Sequence, residues 1–81
     1  MAKMRVLSAR GDTIVEWDGR SAEAGDAEAL AAVRAAERIF AEQCARGATA
    51  FRVGPDRPAE RVDEFDPRAE RIVVVPRVAG G

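Results

Sequence analysis

The run Ile72-Val73-Val74-Val75, stopped by Pro76, constrains the fold more than any other stretch of the chain. Four consecutive β-branched residues favour an extended backbone. The run lacks the polar alternation of a strand with one wet face, so it reads as a strand buried on both faces and central in its sheet. Pro76 has no N–H to give to a ladder, and regular pairing should end there. The whole chain has 81 residues. That is one domain with a small core: room for one sheet and one helix, and little for a deep active-site pocket.

The helix is Ala27 to Arg46. Ala29, Leu30, Val33, Ala36, Phe40 and Cys44 fall on one stripe at a helical period, with Arg34, Arg38 and Glu42 opposite. Asp26 is the expected N-cap, Glu28 complements the helix dipole, and Gly47 supplies the C-cap. Alanine richness favours the helix intrinsically.

The other elements are shorter. Met4 to Ser8 reads as a strand, Ala9 to Asp12 as a turn, and Thr13 to Trp17 as the second strand of a hairpin. Arg10-Gly11-Asp12 is also the tripeptide that integrins read, but at this place a hairpin turn explains it. Asp18 to Gly25 reads as a loop, and Ala48 to Val53 as a third strand. Residues 54–70 form the most polar stretch, with Val62 and Phe65 as its apolar anchors and a short edge strand as one option. Asp66-Pro67 should start a helical turn. The first strand is the natural parallel neighbour of the last, because the helix between them permits a right-handed crossover. The fold class is therefore α+β, with a mixed sheet of four to five strands and one main helix packed on one face. The opposite face stays uncovered. Alternation allows Leu7, Ile14 and one pair from Ile72/Val74 or Val73/Val75 to lie there as a candidate docking surface.

Composition removes several classes of function. Thirteen basic and 14 acidic residues give a net charge of −1, and the basic residues are not interleaved with aromatics, which argues against nucleic-acid binding. One cysteine and no histidine exclude the common zinc layouts, an intramolecular disulfide, and the Ser-His and Cys-His pairs. No metal site and no bound cofactor are expected. Cys44 sits at a helix C-terminus on the core stripe, where a thiol is not activated. No apolar run is long enough to span a membrane, and Met1-Ala2-Lys3-Met4-Arg5 is no signal peptide. A cytoplasmic protein that is not itself an enzyme is expected.

Beyond Pro76 the chain reads Arg77-Val78-Ala79-Gly80-Gly81. Five extended residues reach about 17 Å. Glycines lacking Cβ could pass a narrow channel and bring a terminal carboxylate to a nucleotide. ATP would convert that carboxylate to an acyl-adenylate, which a sulfur or nitrogen nucleophile attacks. The ending Val75-Pro76-Arg77-Val78-Ala79-Gly80-Gly81 resembles the Pro-Pro-Val-Ala-Gly-Gly ending of the molybdopterin-synthase small subunit and its sulfur-carrier relatives, including the thiamine sulfur carriers. It is similar too to the small ubiquitin-like modifiers of archaea and bacteria. Arg77 stands where the second proline would be. Asp66-Pro67-Arg68-Ala69-Glu70 replaces the Gly-Asp-Glu turn often found before the final strand of the carriers.

The resemblance implies a β-grasp body over residues 1–76 and a flexible tail over 77–81. It implies an E1-like partner that adenylates Gly81 with ATP and magnesium, both used by that enzyme. Gly80 gives access, and Arg77, Val78 and Ala79 set recognition in the cleft. The activated tail then has two fates: a thiocarboxylate that donates sulfur, or conjugation to a target amine. An E2-like protein or sulfurtransferase and a deconjugating protease are the further candidate partners. Ending on Gly-Gly implies that no processing is needed. The competing reading is a noncatalytic interaction module with an incidental glycine ending. A small enzyme using Asp63, Glu64 and Asp66 is the weakest, because such a cluster is ordinarily a solvated charge run.

Overall fold

A computed structural model describes residues 1–77. Val78, Ala79, Gly80 and Gly81 lie outside the described residues. The elements are β1 (Ala2–Val6), β2 (Thr13–Trp17), α1 (Gly19–Glu23), α2 (Ala27–Ala45), β3 (Thr49–Gly54), β4 (Arg57–Val62) and β5 (Arg71–Val75). They build one mixed sheet in the order β2-β1-β5-β3-β4. β5 is its middle strand, parallel to β1 and antiparallel to β3. The architecture is α+β, with five strands and one main helix.

The expected burial of Ile72–Val75 on both faces is corrected by the sheet. Ile72 and Val74 are fully buried, whereas Val73 and Val75 are only half-buried. The first pair joins Ala2, Met4, Val6, Trp17 and Ala50 from neighbouring strands, with Ala36 and Phe40 of α2 above them. The second pair points to the face that no helix covers. The run looks doubly buried in sequence because that open face is also apolar at its centre.

α2 is capped as its sequence requires: the Asp26 side chain accepts from the Ala29 N–H at 3.0 Å. Its C-terminus turns off through Gly47 at φ +95°, a conformation that side chains with a Cβ rarely adopt. Ala29, Ala36 and Phe40 are its buried residues, and Leu30, Val33, Ile39 and Cys44 are half-buried around them. Ile39 widens the apolar stripe beyond the predicted set.

Two further expectations shift. The first strand starts at Ala2 and ends at Val6; Leu7 adds one ladder bond to Val74, and Ser8 already enters the turn, its N–H held by Asp12 Oδ1 at 3.3 Å. The predicted loop Asp18–Gly25 contains α1, for which the Asp18 carboxylate accepts from the Arg20 and Ser21 N–H groups at 3.0 and 3.2 Å. These hydrogen bonds, that of Ser21 foremost, hold the Asp18 carboxyl below the usual carboxylate range.

The polar stretch 54–70 is more ordered than its composition suggests. β4 pairs antiparallel with β3 at the sheet edge. A bulge sets the single residue Val53 against Pro58 and Ala59, which gives Pro58 a place where no ladder donor is needed. Phe65 then folds back on the core, its ring 5.4 Å from Trp17 and 5.8 Å from Phe40. Trp17 is 2% exposed, and its indole N–H donates to the Pro67 carbonyl at 3.0 Å. Asp66 caps the single turn expected at Asp66-Pro67: its carboxylate accepts from Arg68 N–H at 2.9 Å, and its carbonyl from Ala69 N–H at 3.1 Å.

The face assignment predicts unequal costs for matched substitutions in β5. Val74→Thr buries a hydroxyl and should cost about 1–3 kcal/mol. Val73→Thr, on the open face, should cost less than ~1 kcal/mol. Urea denaturation of the two variants reads the difference, and equal losses would contradict the assignment.

Candidate functional site

β5 and β1 run parallel and end together, so the C-terminal end of the sheet gathers the segments that precede the tail. The Leu7 N–H donates to the Val74 carbonyl at 3.0 Å, extending the ladder by one bond beyond β1. β3 begins at this end, with Thr49 opposite Val75. Pro76 then closes regular pairing, as its missing N–H requires.

Arg77 is the one member of the predicted tail-recognition set that the structure describes. A Cβ built on Gly47 would meet its Cδ at 3.1 Å and its Cβ at 3.6 Å. The stem of Arg77 therefore packs on the turn that ends α2. A guanidinium there is favoured by the negative end of the helix dipole. By this contact the Arg77 side chain touches the body. Gly81, the predicted reactive residue, and Gly80, Ala79 and Val78 lie outside the described residues.

Leu7 and Ile14 do lie on the uncovered face, with the Val73/Val75 pair. Cross-strand register places Ile14, Arg5, Val73, Phe51 and Arg61 in one row across all five strands. Glu16, Lys3 and Arg71 form a second row beside it. Leu7, Val75 and Thr49 continue the face towards the tail end. Ile14 is 46% exposed, whereas Leu7, Phe51, Val73 and Val75 are half-buried. The face thus has an apolar patch at Val73, Phe51, Val75 and Leu7, which Arg5 separates from Ile14, with further charges around it. The sequence pattern yielded Leu7 and Ile14 but did not single out Phe51, Lys3, Arg5, Arg61 or Arg71. Strand alternation carried that information, but only the register shows which strands stand next to one another.

The helix side offers different chemistry. A cavity of about 570 Å³ lies there between α1, α2 and residues 67–70, lined in part by Met1, Leu30 and Val33. Its rim carries both charge signs, and Arg68 and Glu23 pair at 3.4 Å beside it. No thiol or hydroxyl nucleophile lines it. Asp63 and Asp66 serve separate purposes. Asp66 pairs with Arg52, which also binds Glu60. These carboxylates raise the Arg52 pKa further, Glu60 contributing most. Asp63 lies with Cys44 in a cavity of about 300 Å³ near Gly47.

Cys44 is half-buried against the core, as its place on the α2 stripe predicts. Burial raises its thiol pKa, and the negative charge of Asp63 adds to the rise. Both effects favour the protonated thiol, the less nucleophilic form. Among the described residues no helix is long and apolar enough to cross a membrane.

Alkylation with iodoacetamide at neutral pH should proceed more slowly at Cys44 than at a free cysteine thiol. Asp63→Asn should speed it by lowering the thiol pKa. A wild-type rate at or above that of free cysteine would contradict the inert assignment. Comparison of the chain with protein-family models, curated proteins and solved structures found no match.

Proposed function

We propose that the chain is a ubiquitin-like carrier or protein modifier of β-grasp fold, with the Gly81 carboxylate as its reacting group. The observation that carries this reading is the position of β5. The strand leading to Arg77-Val78-Ala79-Gly80-Gly81 is the middle one of five, held on both sides by β1 and β3. A carrier needs a rigid handle joined directly to its reactive end, and a central strand is the firmest attachment a sheet provides. The order β2-β1-β5-β3-β4, with α2 packed on one face, is compatible with a β-grasp.

In this reading an E1-like enzyme binds the body, and the Gly81 carboxylate attacks the α-phosphate of ATP, releasing pyrophosphate. The acyl-adenylate then loses AMP to a sulfur or nitrogen nucleophile. One outcome is a thiocarboxylate for sulfur transfer, and the other is a bond to a target amine. ATP and magnesium belong to the activating enzyme. The open face around Leu7 and Ile14 serves for docking. Lys3 is the only lysine, which limits chain building through this protein itself.

The reading requires that the mature protein present Gly81 as its terminal carboxylate. Intact mass spectrometry of N-terminally tagged protein from its native host, with and without thiol alkylation, tests both requirement and chemistry. A mass ending at Gly81 with one oxygen replaced by sulfur, alkylatable and lost on deletion of Gly81, is the carrier result. Larger adducts joined by an isopeptide at Gly81 are the modifier result. An unmodified Gly81 under conditions that demand either pathway would favour the interaction-module reading instead.

A further inference from the structure

The uncovered face has an uneven distribution of charge. Lys3 and Arg71 are register partners on adjacent parallel strands, so two like charges stand side by side. Such a pair destabilises a sheet. Arg5 stands one row further along, next to Val73. A depression of about 230 Å³ opens among Lys3, Arg5, Val53, Arg71, Ile72 and Val73. Across the sheet, Arg61 flanks Phe51.

The acidic residues do not balance this cluster. Glu16 reaches Lys3 at 4.0 Å and Asp12 reaches Arg5 at 3.8 Å, both from the β2 side of the sheet. All four side chains are substantially exposed, so these pairs hold little energy. Arg71 and Arg61 form no ion pair among the described residues. In the row between Arg5 and Arg61 stand Val73 and Phe51, with Val75 and Leu7 beyond.

We propose that this face docks an acidic, amphipathic segment of a partner protein. One or two large apolar side chains of the segment lie over Val73, Phe51 and Val75. Its carboxylates reach Lys3, Arg5 and Arg71 on one side and Arg61 on the other. Charge complementarity selects this occupant: carboxylates relieve the Lys3–Arg71 repulsion, and the apolar centre needs an apolar partner. A phosphate backbone would satisfy the cations but leave Val73 and Phe51 against water. The inference rests on the docking face of the carrier reading, not on chemistry at Gly81.

The test uses a labelled synthetic peptide that alternates glutamate with leucine and isoleucine, a lysine-for-glutamate counterpart, and a single-stranded oligonucleotide. Backbone amide NMR shifts locate binding and fluorescence anisotropy measures it. The glutamate peptide should bind, shift the amides of Lys3, Arg5, Phe51, Arg71 and Val73, and outcompete the oligonucleotide. Arg71→Glu should weaken binding by about tenfold or more, whereas Arg38→Glu on the outer face of α2 should not. Arg71→Gln should raise the melting temperature, by removing the like-charge neighbour, and still weaken binding. A chain stopped at Arg77 should bind as the full chain does, which separates this inference from the tail chemistry. No binding of the glutamate peptide, shifts confined to the helix side, or equal binding of the oligonucleotide would overturn it.

Discussion

Insertion of β5 between β1 and β3 is the constraint on which the rest of the structure depends. Without it the β1–β2 and β3–β4 hairpins have no strand joining them. With it, Ile72 and Val74 complete the floor on which α2 packs. The last strand made is therefore the one that unites the sheet, and its contacts with β1 span most of the chain. Folding that waits for such a long-range pairing carries a large loop-closure cost before any reward, so closure should be late and cooperative.

The polar segment before β5 is fixed by a few directed contacts. Phe65 joins Trp17 and Phe40, the Trp17 indole holds the Pro67 carbonyl, and Asp66 pairs with Arg52. These interactions link β2, β3 and α2 to the approach of β5. They let a segment with little apolar content take up a defined path. Arg77 packed on Gly47 does the same at the other end of β5. The central strand is thus anchored before its start and just after its end, which suits a strand whose continuation is proposed to be handled by another protein.

Much of this was readable from residue pattern. The α2 stripe, its Asp26 cap and its Gly47 exit follow from spacing and capping chemistry, and the unbroken run Ile72–Val75 marked the last strand as central although only one of its faces is fully buried. The open face was legible as an uncovered face containing Leu7 and Ile14. Which β5 pair shared it was not, because four consecutive apolar residues carry no mark of which side is covered. α1 was missed because Gly19 and Gly25 bracket a segment with no apolar periodicity, and Asp18 alone signals its start. β4 was obscured by Pro58 and a bulge. The cluster of Lys3, Arg5 and Arg71 joins residues nearly seventy positions apart, and only the parallel register brings them together. The reactive end proposed at Gly81 rests on its own residues and on their resemblance to known carriers.

A carrier must have its Gly81 carboxylate activated by ATP, and ATP–pyrophosphate exchange measures that step without any downstream acceptor. The exchange would be followed in a desalted extract of the native host, with added full-length chain or a chain lacking Gly81. If the carrier reading holds, the full chain stimulates exchange and the shortened chain does not. Equal stimulation by the two, or none by either in an extract that supports exchange by its amino-acid-activating enzymes, would contradict it.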